Sequence, residues 1–301
     1  MVRNLSEIRH ETQAIEETRQ ITNAMYLLST SRMKKAMQKI EYNQIYMRRI
    51  RAAVKDILRI SGSVNHTYTT RNGKRAAYLI ISSDKSMCGA YNFNVVDCAV
   101  KNITLQDTTP YISTVGICGT EMLRSKGYEV DMEWLGVSQD PSLYHSRMIA
   151  ENLISLYNTE EIGEIYVVFT RYINSVTQKA ECIKLLPLSQ EIFSDVDIEY
   201  DYQAQVLYQP SVSDVFNTMV PQYCIGVIYG CLHHACASEH AARMTSMQSA
   251  TNNADEMINK LKFEYNTARQ SAITAEITEI AAAVEIFASD DKNDKTTRNN
   301  N

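Results

Sequence analysis

The segment from Ser82 to Ala90 combines reactive residue types with a position where such residues often act. It reads Ser-Ser-Asp-Lys-Ser-Met-Cys-Gly-Ala and lies between a predicted buried strand and a predicted helix, where phosphate loops and nucleophiles are often found. Its spacing matches neither a Walker loop nor a dinucleotide fingerprint, and the sequence identifies no base that could activate Cys88. We therefore interpret the segment as a strand-to-helix turn, and we predict no catalytic residue and no bound cofactor.

A group of cysteines and histidines is the second candidate for chemistry. It comprises Cys231, His234, Cys236 and His240. On a helix, His234 lies three residues after Cys231 and Cys236 lies five after it, so the side chains spread around the surface. No Cys-x-x-Cys pair supports a zinc site among them. We expect no metal site.

Positive charge is concentrated between residues 32 and 59. The basic residues there are Arg32, Lys34, Lys35, Lys39, Arg48, Arg49, Arg51, Lys55 and Arg59. We call this set the basic band. A solvated helix face is the ordinary interpretation, and an acidic partner surface is the second. Nucleic acid is the competitor, but the formal net charge of the chain is −5, and only Tyr42 and Tyr46 could stack on bases.

Both ends of the chain carry heptad patterns, in which apolar or small residues recur at steps of three and four. Toward the C-terminus these positions are Met244, Met247, Thr251, Ala254, Ile258, Leu261, Tyr265, Ala268 and Ala272. Toward the N-terminus they are Leu5, Ile8, Thr12, Ile15, Arg19, Thr22, Tyr26, Ser29, Met33, Ala36, Ile40, Asn43, Met47, Ile50, Val54 and Ile57. We predict two long helices that pair antiparallel, with Asn4 as the N-cap of the first.

Between these helices, short apolar runs alternate with amphipathic segments. The predicted strands are residues 76–81, 111–117, 128–134, 164–170 and 176–186, and the predicted helices are 94–105, 121–126 and 142–157. This alternation indicates an open, largely parallel, Rossmann-like sheet whose last strand lies at an edge. The predicted fold class is α/β plus a long antiparallel α-helical coiled coil formed by the terminal helices. The predicted divisions are 1–60 for the first helix, 74–195 for the inserted α/β domain, 210–288 for the last helix and 289–301 for a disordered tail.

Two further signals concern the cellular setting. No apolar run approaches the length of a transmembrane span. The seven cysteines are scattered and odd in number, which fits a reducing cytoplasm better than a disulfide scaffold.

Several motifs resemble a known family. Ser238-Glu239-His240-Ala241-Ala242-Arg243-Met244 and the segment from Tyr265 to Ile280 are similar to the C-terminal signature of the gamma subunit of F-type ATP synthases. The segments 19–25 and 31–36 resemble the opening helix of that family, and 83–92 resembles its strand-to-helix loop. The resemblance extends in order from Ile8 to about Ile280.

The resemblance implies a non-catalytic central-stalk rotor that transmits torque between a membrane ring of c subunits and the catalytic beta subunits. It further implies alpha, beta, epsilon and c-ring partners, and a peripheral location at the cytoplasmic face of a bacterial cell membrane. The residues that it assigns to beta-subunit contact are Met25, Lys85, Cys88, Arg243, Gln270 and Thr274. The residues that it assigns to the foot at the c ring and epsilon are Tyr208 and Gln209.

The chain departs from the family at several of these places. Asn23 stands where a lysine is common, Lys85-Ser86-Met87 replaces Arg-Gly-Leu, and Gln209 replaces an acidic residue.

From the residues alone, two other classes of protein stay open. One is an α/β enzyme with a coiled-coil arm, which would need a nucleophile or a phosphate loop. The other is a coiled-coil scaffold or nucleic-acid-binding protein with an α/β domain, which would depend on the basic band.

Overall fold

The computed structural model describes residues 4–60, 66–71, 73–106, 109–194, 208–209 and 211–298. The helices are α1 (Leu5–Ile60), α2 (Tyr91–Thr104), α3 (Ile117–Ser125), α4 (Leu143–Asn158) and α5 (Val212–Arg298). The strands are β1 (Arg75–Ile81), β2 (Tyr111–Val115), β3 (Met132–Trp134), β4 (Ile162–Tyr172) and β5 (Gln178–Leu186). Each predicted strand and helix is therefore present, with shifted ends.

The strands form one sheet in the order β3-β2-β1-β4-β5. The first four run parallel, and β5 pairs antiparallel with β4 at the edge. The order reverses at β1, since β2 lies on one side of it and β4 on the other, as in doubly wound α/β folds. The prediction of an open, largely parallel sheet with the last strand at an edge is confirmed, and the structure adds that this strand runs antiparallel.

Alternate residues of β1 pack into two separate cores, because successive side chains of a strand point to opposite faces of the sheet. Tyr78 and Ile80 lie in a core with Val95 and Ala99 of α2 and with Leu123 of α3. Residues on the opposite face pack against the other helices. These are Ala77, Leu79 and Ile81 of β1, with Val54 of α1, Leu153 of α4, and Val220 and Ile228 of α5.

The described chain divides into two compact units, Tyr26–Ser246 and a second unit of 1–25 with 247–301. In the first unit, Asn43 Nδ2 of α1 donates a hydrogen bond to the carbonyl of Gly226 in α5 (3.0 Å). A Cβ at Gly226 would collide with the Met47 sulfur, so the glycine permits a close approach of the two helices. In the second unit, the hydroxyls of Thr22 and Thr251 lie 2.9 Å apart. Each unit therefore contains an antiparallel helix pair, as predicted.

The helix pairs bury most of the predicted heptad positions. On α1, the buried members include Ile8, Met33, Ala36, Ile40, Met47, Ile50, Val54 and Ile57. On α5, they include Met247, Thr251, Ala254, Ile258, Leu261 and Ala268. Two polar heptad residues of α1 bond to α5 within their own unit. Thr22 contacts Thr251, and Arg19 forms an ion pair with Asp255. At the start of α1, Asn4 Oδ1 accepts a hydrogen bond from the Ser6 amide (3.0 Å), as an N-cap does.

Three boundaries differ from the sequence predictions by four residues or more. Strand β3 begins at Met132 rather than at residue 128, because the Tyr128 amide still bonds to the carbonyl of Leu123 and closes α3. Helix α3 begins four residues before the predicted 121. Helix α5 continues to Arg298, past the predicted end at 288, and disorder of the segment 289–301 stays a prediction.

Helix α5 also qualifies, by length and composition alone, as a candidate membrane span. The sequence prediction was different, because no apolar run approaches the length of a transmembrane span. Half of the apolar 18-residue window that meets these criteria is buried within the protein, and a buried core helix passes the same test. Apolar residues of α5 such as Val220 and Ile228 belong to the core beneath the sheet.

Candidate functional site

Arg243 of α5 lies at the centre of a buried polar junction. Only 6 % of the residue is exposed. Its Nη1 donates to Glu239 Oε1 (2.7 Å) and approaches His240 Nδ1 (3.4 Å). Its Nη2 donates to the backbone carbonyls of Lys85 (3.0 Å) and Ser86 (3.1 Å). One guanidinium thus joins α5 to the loop that follows β1.

The loop that Arg243 holds, residues 84–90, has an unusual backbone. Met87 and Gly89 both adopt positive φ, 62° and 57° respectively, and for a methionine this left-handed conformation is strained. Cys88 is buried, and its sulfur lies 3.4 Å from Nδ2 of Asn92 and 3.8 Å from Oγ of Ser83. Bonds to α2 and α5 therefore hold the loop in a single shape.

The electrostatics of this junction follow from its burial. Burial raises the pKa of Glu239 above its usual range, and the Arg243 guanidinium opposes that rise. Burial raises the pKa of the Cys88 thiol, although the Ser83 hydroxyl and Arg243 act in the other direction. Since the thiolate is the nucleophile, Cys88 is a poor candidate for covalent chemistry. Its role in the described structure is to fill the loop.

Helix α5 covers the crevice in which open α/β sheets usually bind ligands. That crevice lies outside the carboxyl ends of the strands at the point where the strand order reverses, here between β1 and β4. Ser238 Oγ of α5 donates to the carbonyl of Thr170 at the end of β4 (3.0 Å), while Arg243 bonds to the loop after β1. The Ser82 and Ser83 side chains bond within the chain, to the Val115 carbonyl and to Asn92. The segment from Ser82 to Ala90 therefore serves as the predicted strand-to-helix turn.

The remaining predicted contact residues differ in their exposure. Gln270 and Thr274 are exposed on one face of α5, and Thr274 Oγ1 donates to the Gln270 carbonyl (2.9 Å). Lys85 is exposed and Met25 is half-buried. At the predicted foot, Tyr208 is half-buried and Gln209 is exposed. The structure thus separates two buried members of the predicted contact set, Arg243 and Cys88, from members that reach the surface.

The end of α5 exposes apolar side chains that its own unit does not cover. Ile273, Ile277, Ile280 and Val284 are 48 %, 62 %, 65 % and 62 % exposed. They follow one another at steps of four, three and four, so they line one face of the helix. We call this set the apolar stripe. An exposed apolar stripe rimmed by polar residues is typical of a surface that binds another protein.

Most of the basic band is exposed, as a solvated or partner-facing helix surface would be. Exposed members include Lys34, Lys35, Lys39, Arg48 and Arg49. Arg51 differs, because its Nη2 donates to the Ile192 carbonyl (2.9 Å) and its guanidinium lies 5.8 Å from the centre of the Phe193 ring. Arg51 is therefore part of the fold.

The sequence interpretation missed Glu239 as a functional residue. Glu239 stands four residues before Arg243, and an acidic residue in that place favours an ion pair along a helix. The same spacing could have indicated that the carboxylate bound by Arg243 belongs to this chain. The carbonyls of Lys85 and Ser86 carry no such sequence signal, because any residue type supplies a backbone carbonyl.

Comparisons with known proteins agree with this architecture. A family model described as ATP synthase matches residues 4–286. The ATP synthase gamma chain of Ruminiclostridium cellulolyticum is 35 % identical, over 93 % of this chain and 97 % of its own. That of Caldanaerobacter subterraneus is 37 % identical, over 91 % and 96 %. The Tetrahymena thermophila mitochondrial ATP synthase central stalk/c-ring structure contains a chain with a TM-score of 0.58 and 21 % identity, covering 76 % of this chain and 99 % of that one. This chain belongs to the ATP synthase gamma chain family.

Proposed function

We propose that this chain is the central-stalk rotor subunit of an F-type ATP synthase. In this role it transmits torque between an ion-driven ring of c subunits and the catalytic beta subunits, and so couples ion flow to ATP synthesis. Family membership over residues 4–286 supports the proposal, as do the antiparallel helix pairs of α1 and α5. A stiff element that turns past bistable partners is a known way to drive conformational change.

The observation that carries the proposal is the apolar stripe at the end of α5. A single helix face with four large aliphatic side chains about half exposed or more needs a cover, because such surface is costly to leave in water. We infer that the cover is the apolar sleeve formed by three alpha and three beta subunits. Gln270 and Thr274 lie on the same helical segment and would meet the beta subunits there.

The chain itself is proposed to be non-catalytic. The crevice that an α/β enzyme would use is covered by Ser238 and Arg243 of α5. Burial raises the pKa of Cys88, the candidate nucleophile of the strand-to-helix turn. We therefore assign ATP chemistry to the partner subunits of the complex.

The two classes of predicted contact residues receive different roles in this proposal. Met25, Lys85, Gln270 and Thr274 would contact beta subunits directly, and exposed members of the basic band would face acidic beta-subunit surfaces. Arg243 and Cys88 would act on the same partner through the loop 84–90 whose shape they hold. Tyr208 and Gln209 would belong to the foot that meets epsilon and the c ring. The complex would lie peripherally on the cytoplasmic face of a bacterial membrane.

Purification from native membranes tests the proposal. We expect affinity-tagged full chain, extracted with a mild detergent, to bring alpha, beta, epsilon and c subunits with it in a complex that hydrolyses ATP. Ile277→Asp places a charge in the apolar stripe and should reduce recovery of alpha and beta. Asn253→Asp, at an exposed position of the same helix, is the matched control and should leave recovery unchanged. Isolation of the wild-type chain alone, or with nucleic acid, would refute the rotor assignment.

A further inference from the structure

A recess of about 400 Å³ opens beside the helix pair in the unit Tyr26–Ser246. Its walls come from α1, α5 and the turn after β3, which includes Asp140. Two small residues, Ala36 of α1 and Cys236 of α5, line it and also belong to the local apolar cluster. Because their side chains are short, the helices leave room between them that larger seam residues would fill. The volume lies in the range of small-molecule sites.

His233 lines this recess with an unsatisfied ring. The residue is 5 % exposed, and neither ring nitrogen has a hydrogen-bond partner within the described structure. Its neighbour Tyr229 packs edge-on against the ring, with centroids 4.4 Å apart. A neutral imidazole always carries one N–H, so a donor is buried here without an acceptor. Buried polar groups in native proteins are nearly always paired, which indicates that an acceptor from outside the chain completes the site.

His240 lines the same recess and offers a second donor. Its Nδ1 lies 3.4 Å from Nη1 of Arg243. Arginine can only donate a hydrogen bond, so Nδ1 is the acceptor and the proton of the neutral ring resides on Nε2. His233 and His240 are seven residues apart on α5 and therefore share one face of the helix.

The charged groups around the recess favour an anion. Arg32, Lys35 and Lys39 line it from α1, and Asp140 is the carboxylate among the lining residues. The three basic positions are separated by three and four residues, so they too share one face. Three cations against one carboxylate leave the wall positive. No group of histidine, cysteine and carboxylate suited to a metal ion occurs among the residues that the structure describes.

We propose that this recess binds a phosphoryl oxyanion, either free phosphate or the phosphate of a nucleotide. Its oxygens would accept hydrogen bonds from His233 and His240 on α5 and from Lys35, Lys39 and Arg32 on α1. Phosphate presents several acceptor oxygens, which suits donors that converge from two helices. The bound ion ties α1 to α5 in this unit, so it stabilises their pairing. The site is tested on the isolated chain, where no beta subunit competes for Lys35 and Lys39 of the basic band, so the proposal does not depend on the rotor function.

Titration of the full chain with inorganic phosphate tests the site, by calorimetry and by thermal unfolding at an ionic strength held constant with chloride. We expect binding with a Kd below about 1 mM and a rise in Tm with phosphate. Lys35→Ala should weaken binding about tenfold or more, as loss of a charged hydrogen bond does. Lys34→Ala removes an equal charge from the same helix, outside the recess, and should change Kd less than about twofold.

His233→Phe separates binding from folding. It replaces an unsatisfied ring with an apolar one of similar shape, so the phosphate-free Tm should stay equal or rise, while phosphate binding falls about tenfold.

A parallel titration with ADP identifies the source of the phosphoryl group. Tighter binding of ADP indicates a nucleotide and tighter binding of inorganic phosphate indicates the free ion, and either result supports the site. Equal losses in Lys34→Ala and Lys35→Ala would overturn the proposal, because they would mean diffuse attraction to the basic band. Equal binding of acetate would also overturn it, in favour of a partner's carboxylate, as would the absence of phosphate binding.

Discussion

Arg243 and Gln270 lie on the same helix, and the family resemblance assigns both to one partner, yet their surroundings differ. The Arg243 guanidinium is buried and bonds to Glu239 and to two carbonyls of the loop 84–90. Gln270 is exposed beside Thr274 and the apolar stripe. A shared motif can therefore contain residues with two physical roles. Arg243 fixes the internal geometry of its unit, whereas Gln270 presents a surface.

Replacing Arg243 should have the largest effect on the stability of the chain. Arg243→Ala leaves the Glu239 carboxylate buried without its partner, which costs about 3–5 kcal/mol. Gln270→Ala removes an exposed side chain and should change the free energy of unfolding by less than about 0.5 kcal/mol. Urea unfolding of both variants measures the difference.

A second change shows whether the Arg243 loss comes from the stranded charge. In the Arg243→Ala background, Glu239→Gln removes that charge and should restore part of the lost stability. If Arg243→Ala unfolds like wild type, the guanidinium is not a structural junction, and a direct partner contact becomes the better account of Arg243.

Acidification should weaken the buried side of α5 through its histidines. Burial lowers the pKa of His234 to about 4, from an ordinary value of 6.5. Between these values the unfolded chain binds a proton that the folded chain does not, so stability falls as pH falls through this window. Between pH 7.5 and pH 5, His234 should lower the free energy of unfolding by about 2 kcal/mol.

The variant His234→Phe isolates that contribution. Its ring should pack where His234 packs, 6.2 Å from Phe169 between ring centres, and it cannot titrate. We expect its stability to fall by about 2 kcal/mol less than that of wild type over the same pH interval. Chemical unfolding at each pH measures both free energies of unfolding. If the two fall in parallel with pH, the His234 ring titrates with its ordinary pKa, and the prediction is wrong.

Gln270→Ala should affect turnover although it spares the fold. The proposed contacts of Gln270 with a beta subunit are neutral hydrogen bonds, worth about 1 kcal/mol. We therefore expect ATP hydrolysis by the assembled complex to fall by up to about tenfold. Gln248→Ala, at an exposed position earlier on the same helix, is the control. Unchanged turnover in both variants would contradict a role for the exposed face at Gln270.

The smallest effect concerns the strained loop held by Arg243. Met87 has a φ of 62° and its side chain is 58 % exposed. Met87→Gly should stabilise the protein by about 0.5–1 kcal/mol, because glycine adopts positive φ without a clash. Met87→Ala keeps the Cβ and should bring no gain. A gain from alanine equal to that from glycine would locate the effect in the side chain rather than the backbone.

Sequence patterns predicted the fold well, because the fold depends on periodicity. The helix pairs bury most of the predicted heptad positions of α1 and α5, and the apolar run at 76–81 forms the central strand β1. Boundaries were less predictable. The start of β3, for instance, depends on a backbone bond from Tyr128 to Leu123, which side-chain type does not encode.

The candidate site was predictable only in part. Motif resemblance identified Arg243 and Gln270 but could not distinguish a buried residue from an exposed one, since both occur on one long helix. The bonds from Arg243 to the carbonyls of Lys85 and Ser86 join residues far apart in sequence. The recess at His233 likewise needs α1 and α5 to be adjacent, which no local pattern states.

The most direct test of the rotor assignment is a single-molecule rotation measurement. A probe would be attached through Lys101→Cys, on α2 at a solvent-exposed position, after replacement of the half-buried Cys98, Cys118 and Cys182. The catalytic head of the purified complex would be fixed to a surface. The account predicts that ATP drives stepwise rotation of the probe in one direction, and that the rotation stops when ATP is removed. A probe that stays fixed relative to the head while the complex hydrolyses ATP would contradict it.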